Sequence, residues 1–419
     1  MTDARTASTH HHRRLTLARH GARAAGALSR RLRHGSGLVI AGRVLLAIEP
    51  DTVATLSRER SITLVSGTNG KTTTTSLTVA ALGAGAEVAT NRDGSNTAAA
   101  LAGVLASADA PKLVLEVDEG WLPWAVRETG PEAVVLTNLS RDQLSRHHEV
   151  GAVAAAWRAA LAGVPLVVAN ADDPAVTWAA LAAEHQEWVA VGTEWRADSS
   201  VCPACGSRCT TSGSGSVSDW GCSSCGLRRP EPRWELDGHT LRGPGTEVDL
   251  ALDLPGRFNL ANAAMAVVAA HAIDAVPAPA AAGRMRAVTS VAGRFEHLRL
   301  HGHDLRIMLA KNPAGWLELL HLIRDDRHPL LLVFNAEGVD GRDPSWLYDV
   351  SFAPLRGRTV IVQGDRATDL LVRLEHDGVA AEHIPGPLAM GLWHLPAGRV
   401  DVIGNYSAFR RVVHEARRG

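Results

Sequence analysis

The sequence predicts an α/β protein made of two successive α/β units, with a small metal-binding insert in the first. Three observations support this prediction. Short apolar strands alternate with Ala-rich helices from about residue 58, a glycine-rich loop joins a strand to a helix, and two Cys-x2-Cys pairs interrupt the alternation. Such alternation is typical of parallel strands whose crossover helices cover both faces of a sheet. The 419 residues are enough for two or three domains.

The composition excludes several classes of protein. The 43 basic and 44 acidic residues nearly cancel, which argues against a nucleic-acid partner. No apolar run reaches the 18 or so residues of a membrane span, and Arg residues interrupt the early apolar runs that a signal peptide would need. All five cysteines lie between Cys202 and Cys225, which is unlike a disulfide framework. We therefore expect a cytoplasmic protein.

Residues 1–57 are predicted to form a basic, helical amino-terminal segment. Apolar residues recur at three- and four-residue spacing: Leu15, Ala18, Ala22, Ala25, Leu28 and Leu32. One interpretation is a helix that packs on the next domain with its Arg face in solvent. The other is attraction to anionic lipid, which would make the protein peripheral at the inner face of the membrane. The tract His10 to His12 is either incidental or a metal site.

Residues 58–297 are predicted to form the first α/β domain. Its strands are expected at Ile62–Val65, Leu113–Val117, Ala133–Leu136 and Leu166–Ala169, and a helix is expected around Leu260–His271. Between the first strand and the following helix lies a candidate phosphate loop: Gly67, Thr68, Asn69, Gly70, Lys71, Thr72 and Thr73. Such a loop holds phosphate with backbone N–H groups at a helix N-terminus.

Lys71 is one of only three lysines in the chain and is expected against the β- and γ-phosphates of ATP, with the Thr72 hydroxyl on Mg²⁺. The general pattern has Gly where Val65 stands, and an ordinary glycine-rich turn is the alternative.

Carboxylates follow the strand Leu113–Val117, at the edge where open α/β sheets bind ligands. Glu116 is the first candidate for a further Mg²⁺ ligand and Glu119 the second, because Mg²⁺ prefers oxygen ligands. A solvated acidic turn is the alternative. Thr137 and Asn138 follow the next strand in the same way.

The insert, at residues 199–230, contains Cys202, Cys205, Cys222 and Cys225. Two such pairs separated by sixteen residues predict a zinc ribbon with four thiolate ligands. Four thiolates leave no open coordination position, so the Zn²⁺ is expected to be structural. An iron–sulfur cluster is the alternative. Cys209 is a spare cysteine, either a small buried residue or a substitute ligand.

Residues 298–419 are predicted to form a second, Rossmann-like α/β domain. Its strands are expected near Leu305–Leu309, Leu330–Phe334, Thr359–Val362 and Val400–Ile403.

Taken together, the motifs resemble the Mur ligases, which activate a carboxylate as an acyl phosphate and join it to an amine. The resemblance rests on Gly67–Thr73, Glu116, Thr137-Asn138, Asn170-Ala171-Asp172-Asp173-Pro174, Phe258-Asn259-x2-Asn262-Ala263-Ala264 and Gly293-Arg294-Phe295-Glu296. Further segments are similar to the MurT-type subunits of lipid II isoglutaminyl synthases: Cys225–Pro230, Arg141-Asp142-Gln143, Lys311-Asn312-Pro313-Ala314-Gly315 and Asp340–Asp349. The phosphate loop begins within the first 70 residues, so we expect no UDP-sugar domain before it.

The resemblance implies a fold, an activity and a partner. It implies a Mur-ligase-like ATPase domain with a zinc ribbon inserted, followed by the second α/β domain. The reaction would be ATP-dependent amidation of the D-glutamate α-carboxylate in the lipid II stem peptide, with ammonia from a GatD-type glutamine amidotransferase subunit in a heterodimer.

By residue, the resemblance implies that Asn259 contacts adenine and Arg294 the phosphates, while Lys311 and Asn312 are candidate substrate or phosphate contacts. It also implies that Asp349 completes the partner's Cys–His pair. Capping of a helix or pairing with an Arg is the alternative for Asp349.

Two other functions compete with this one. A folylpolyglutamate-synthase or Mur-type ligase that adds an amino acid would need neither glutaminase nor zinc ribbon. A non-enzymatic zinc-ribbon adaptor would not need Lys71, Thr72, Glu116 and Arg294.

Overall fold

Two large β-sheets organise the chain, one in each of two units. The computed structural model describes residues 20–22, 24–29, 31, 37–83, 87–91, 95–142, 149–192, 197–212, 219–291, 294–337 and 339–418. The first unit lies within 1–139, 149–252 and 260–288, and the second within 140–148, 253–259 and 289–419. His10 to His12, Gln143 and Gly293 lie outside the described residues.

The amino-terminal segment is helical where it is described, between residues 20 and 31, and is followed by α1 (Leu38–Ile48) and α2 (Thr52–Ser57). Ala22 is buried against Leu45 and Ala106, so this part packs on the first unit. Leu28, expected on the apolar face, is instead 59% exposed. Leu15, Ala18 and Leu32 lie outside the described residues. No helix in the described part of the chain is long and apolar enough to cross a membrane.

The first sheet has nine strands in the order β11-β10-β9-β6-β5-β4-β1-β3-β2. Its strands are β1 (Ser61–Ser66), β2 (Val88–Ala89), β3 (Lys112–Glu116), β4 (Ala133–Leu136), β5 (Leu166–Asn170), β6 (His185–Ala190), β9 (Trp234–Asp237), β10 (Thr240–Gly243) and β11 (Thr246–Asp249). The helices of this part are α3 (Lys71–Gly83), α4 (Ala98–Ser107), α5 (Leu122–Thr129), α6 (Val150–Leu161), α7 (Pro174–Ala180), α8 (Arg257–Asp274) and α9 (Ala278–Met285).

The predicted parallel strands are confirmed, because β1 pairs in parallel with both β3 and β4, and β4 pairs in parallel with β5. Their apolar runs are buried on both faces, as in Val134 and Leu64, which are fully buried. The antiparallel edge formed by β9, β10 and β11 was not predicted. Since β1 lies between β3 and β4, the segments that follow these three strands meet at one edge of the sheet.

The cysteine insert forms its own two-stranded antiparallel sheet of β7 (Cys209–Ser212) and β8 (Asp219–Cys222). Short bridges join Val201 to Arg208 and Gly221 to Arg228, one beside each Cys-x2-Cys pair. The insert is therefore a small ribbon with little core of its own, as expected for a metal-stabilised element.

The second sheet has six strands in the order β12-β13-β17-β14-β15-β16, of which only β12 runs antiparallel to its neighbour. The strands are β12 (Phe295–Leu300), β13 (His303–Leu309), β14 (Leu330–Val333), β15 (Val360–Gln363), β16 (Glu382–His383) and β17 (Gly398–Gly404). The helices are α10 (Pro313–Ile323), α11 (Val339–Arg342), α12 (Ala367–His376), α13 (Leu388–Trp393) and α14 (Tyr406–Ala416). All four strands predicted for this part are present.

Candidate active site

The phosphate loop connects β1 to α3, as predicted, and two of its glycines have backbone conformations that other residues rarely adopt. Gly67 has φ 144° and Gly70 has φ 83°. A Cβ at Gly67 would lie 2.0 Å from Thr137 Oγ1, and one at Gly70 would lie 2.2 Å from Asn262 Oδ1. Both positions therefore require glycine for conformation and for space.

Asn138, in the segment after β4, holds the shape of the phosphate loop. Its carbonyl oxygen accepts a hydrogen bond from Thr68 N, and its Oδ1 accepts one from Asn69 N, each at 2.9 Å. Its Nδ2 donates to Asn69 O at 3.0 Å, and Thr137 Oγ1 donates to the same oxygen at 2.8 Å. The sequence had indicated this segment by its position after a strand and by its resemblance to the Mur ligases, and the structure shows what it contacts.

Lys71, the first residue of α3, is buried and paired with Glu119. Its Nζ lies 2.8 Å from Glu119 Oε2 and donates to Gly67 O at 2.5 Å and Thr68 O at 3.2 Å. The two side chains are 3% and 6% exposed. The sequence had placed Glu119 second as an Mg²⁺ ligand, and in this structure its carboxylate binds the lysine.

Glu116, at the end of β3, presents a buried carboxylate oxygen to the same edge of the sheet. Asn96 Nδ2 donates to its Oε1 at 3.1 Å, while Oε2 is buried and has no hydrogen-bond partner within the described residues. A buried carboxylate oxygen without a partner is costly unless a cation compensates it. Hard oxygen donors of this kind fit Mg²⁺, so Glu116 and the Thr72 hydroxyl suit that ion.

Asn91 and Asn96 were missed by sequence reasoning, although both follow β2 on the same side of the sheet. Asn91 exchanges two hydrogen bonds of 2.8 Å with the backbone of Glu116, one as donor and one as acceptor. This pairing fixes the end of β3, and Asn96 then orients the carboxylate.

The remaining predicted nucleotide and substrate residues belong to the second unit. Asn259 is buried, and its Nδ2 donates to Pro255 O at 2.7 Å. Arg294 precedes β12 and is partly buried. Lys311 Nζ forms an ion pair with Asp142. Asn312 is the N-cap of α10, because its Oδ1 accepts a hydrogen bond from Gly315 N at 2.9 Å.

Asp349 ends a short 3-10 helix, Ser345–Asp349, and remains accessible. Its Oδ2 lies 3.3 Å from Arg141 Nη1, and the two side chains are 41% and 37% exposed. Pairing with an Arg was one of the two interpretations, but so exposed an ion pair contributes at most about 1 kcal/mol. The neighbouring Tyr348 is 65% exposed.

Four cysteines converge as predicted. The Sγ atoms of Cys202, Cys205, Cys222 and Cys225 all lie within 4.8 Å of one another, with 3.6 Å between Cys202 and Cys225 and 3.5 Å between Cys205 and Cys222. Tetrahedral Zn²⁺ with Zn–S bonds of about 2.3 Å requires sulfurs at about 3.8 Å, so the donor set fits zinc.

Cys209 is not part of this cluster. It is buried, and burial raises the pKa of its thiol. It behaves as a small packed side chain.

Two family models match the chain. The Mur ligase middle domain matches residues 65–270, and the MurT ligase C-terminal domain matches residues 309–409. The chain belongs to the Mur ligase family.

Similar proteins agree with this assignment. The chain is 27% identical to the lipid II isoglutaminyl synthase (glutamine-hydrolyzing) subunit MurT of Staphylococcus aureus strain N315, covering 91% of this chain and 93% of that one. It is 27% identical to the protein of that name from Streptococcus pneumoniae, covering 84% and 85%. Among solved structures, a pseudomurein peptide ligase type C from Methanothermus fervidus shares the fold, with a TM-score of 0.64 and 18% identity over 87% of this chain and 80% of that one.

Proposed function

We propose that the chain is the ATP-dependent subunit of a lipid II isoglutaminyl synthase, a carbon–nitrogen ligase of peptidoglycan synthesis that takes its amide nitrogen from glutamine. The observation that carries this proposal is the phosphate loop beside a buried oxygen of Glu116 that has no hydrogen-bond partner in the described part of the chain. The chain is also similar over nine-tenths of its length to a subunit of that name. The substrate would be the α-carboxylate of D-glutamate in the stem peptide, and the product D-isoglutamine.

The proposed reaction has two steps. The carboxylate first attacks the γ-phosphorus of ATP, which gives an acyl phosphate and ADP. Ammonia then attacks the acyl carbon, and inorganic phosphate leaves. Mg²⁺, when bound, would neutralise charge on the transferring phosphoryl group.

The residues of the chain would position these reactants. Lys71 would leave Glu119 for the β- and γ-phosphates, and the Thr72 hydroxyl and Glu116 would hold Mg²⁺. Gly67 through Thr73 would bind the phosphates through their backbone N–H groups. From the family resemblance, Asn259 would contact adenine and Arg294 the phosphates, with Lys311 and Asn312 near the acyl group.

The ammonia would come from a separate GatD-type glutaminase in a heterodimer. A glutaminase commonly needs a reactive Cys with a His nearby. Four of the five cysteines of this chain form the zinc-type cluster, and burial raises the pKa of the fifth, Cys209. The accessible Asp349 is the carboxylate that would orient the partner's His.

The proposal also covers the role of the zinc, the division into domains and the location of the enzyme. Zn²⁺ in the ribbon at 199–230 would be structural. The division into a basic segment at 1–57, the ATPase domain at 58–297 and the second domain at 298–419 would place the chemistry in the last two. The enzyme would act in the cytoplasm on lipid II at the inner membrane surface.

The test is reconstitution. The chain and the glutaminase from the same genome are co-purified, and lipid II is incubated with ATP and either glutamine or ammonium. We expect amidation with either nitrogen source in the complex, and with ammonium alone for the isolated chain. The alternative, a ligase that adds an amino acid, predicts ATP hydrolysis with an amino acid and none with ammonium.

A further inference from the structure

The four-cysteine ribbon is connected to the rest of the first unit by one buried and one largely buried side chain. Trp220 Nε1, on β8, donates to Ala171 O at 2.9 Å. Arg229, just after the second cysteine pair, contacts Asp172 Oδ1 with Nε at 2.8 Å and with Nη2 at 2.7 Å. The side chains of Arg229 and Asp172 are 12% and 2% exposed, so water competes little for this ion pair.

Asp172 has both carboxylate oxygens occupied. While Oδ1 receives Arg229, Oδ2 accepts hydrogen bonds from Val191 N at 2.8 Å and Gly192 N at 2.7 Å. The carboxylate thus joins the ribbon to the ends of β5 and β6. Removal of Arg229 would leave a buried negative charge with two backbone donors and no cation, a situation that favours movement of this strand end.

The end of β5 in turn holds the segment that shapes the phosphate loop. Asn170 accepts a hydrogen bond from Asp172 N at 2.9 Å and donates to Thr137 O at 2.9 Å. Asp173 Oδ2 accepts one from Leu139 N at 2.7 Å. Asn138 lies between these two anchored residues and makes the hydrogen bonds to Thr68 and Asn69 described above.

We propose that Arg229, through Asp172, and Trp220, through Ala171, are positioning residues for the nucleotide, and that they act by way of Asn170 and Asn138 on the phosphate loop. The inference rests on the proposed function, since it requires that the loop bind ATP. Hydrogen-bond partners that orient metal ligands from behind commonly change metal affinity or activity by about 10- to 100-fold when they are removed, and we take the same scale for the phosphate loop. Because four successive contacts connect Arg229 to the loop, we expect an effect of about tenfold, at the lower end of that range.

The competing explanation is that the ribbon is only a stabilising appendage. In that case loss of Arg229 would lower the melting temperature and leave the affinity of the folded protein for nucleotide unchanged. Nucleotide affinity therefore separates a positioning role from a purely structural one.

The experiment compares four variants of the full chain with the wild type. Arg229→Ala removes the ion pair, Arg229→Lys keeps the charge, and Trp220→Phe removes the indole N–H donor while keeping a smaller aromatic ring. Arg228→Ala is the matched control, because Arg228 is the adjacent Arg and is exposed. Each protein is titrated with a fluorescent ATP analogue and Mg²⁺, and its zinc content and melting temperature are measured.

We expect Arg229→Ala and Trp220→Phe to raise the Kd for the ATP analogue about tenfold while zinc stays at the wild-type amount. Arg229→Lys should recover part of the affinity, and Arg228→Ala should stay within about twofold of the wild type. If Arg229→Ala does not fold, Trp220→Phe and Arg229→Lys decide the question.

Wild-type affinity in Trp220→Phe and in every folded Arg229 variant would overturn this inference and leave the proposed function intact. Failure of the wild type to bind nucleotide would refute the proposed function, and this inference with it.

Discussion

Replacement of Asp349 by Asn separates the two nitrogen sources of the proposed reaction. The substitution preserves the size of the side chain and removes its charge. An amide in place of a carboxylate would misorient a His that it contacts, and the same change in a Ser–His–Asp triad lowers turnover by about 10⁴-fold. We therefore expect glutamine-dependent amidation by the complex to fall by two to four orders of magnitude, ~10² to ~10⁴.

The structure indicates that the fold tolerates this change. The carboxylate of Asp349 is 41% exposed, and its ion pair with Arg141 spans 3.3 Å between half-exposed groups. Such pairs contribute about 0.2–1 kcal/mol, so the melting temperature should fall by no more than about 4 °C. Ammonium-dependent amidation should stay near the wild-type rate, because the chain's own phosphate loop is unaltered.

The assay measures lipid II amidation by mass spectrometry with each nitrogen source in turn, on the same preparation of complex. Asp343→Asn is the matched control, because Asp343 is an exposed acid in the same segment and its carboxylate bonds locally, accepting a hydrogen bond from Ser345 N at 3.0 Å. A loss of equal size with glutamine and with ammonium would refute the reasoning and place Asp349 in the ligase reaction. Loss of co-purification would assign it to binding of the partner.

Three further predictions concern the first unit. Lys71→Ala should abolish ATP-dependent amidation. It should also lower the free energy of unfolding by about 3–5 kcal/mol, because it leaves the Glu119 carboxylate buried without its cation. Adding Glu119→Gln should restore the urea midpoint but not the activity, and restored activity would remove Lys71 from the mechanism. Cys222→Ser should lower zinc content and soluble yield, whereas Cys209→Ser should keep the metal, as measured by atomic absorption; equal zinc in both variants would contradict the four-cysteine site. Burial raises the pKa of Asp173 to about 6, so its contribution to stability is present below pH ~4 and is lost as the pH rises through ~6. The urea-derived stability of the wild type relative to Asp173→Asn should therefore fall by up to about 3 kcal/mol across that interval, and a flat difference would show that the pKa of Asp173 is unshifted.

Local sequence determined the central buried strands of both sheets, the phosphate loop and the metal ribbon. Buried parallel strands are short apolar runs, so Ala133–Leu136 could be placed to the residue. Glycine is favoured where φ is positive, so Gly67 and Gly70 marked the position of the loop in the sequence. Four thiolates at fixed spacing have few uses other than a metal site, and their Sγ atoms do meet.

Only the tertiary structure decided which side chains act on one another across the sheet. The pairing of Lys71 with Glu119, the two bonds between Asn91 and Glu116, and the ion pair of Arg229 with Asp172 join residues 25 to 57 positions apart. The order of strands sets which of these segments become neighbours, and that order depends on how the helices pack over the sheet rather than on local pattern. For the same reason the sequence ranked Glu116 above Glu119 by position alone, while the folded chain distinguishes them by a buried oxygen on one and a lysine on the other.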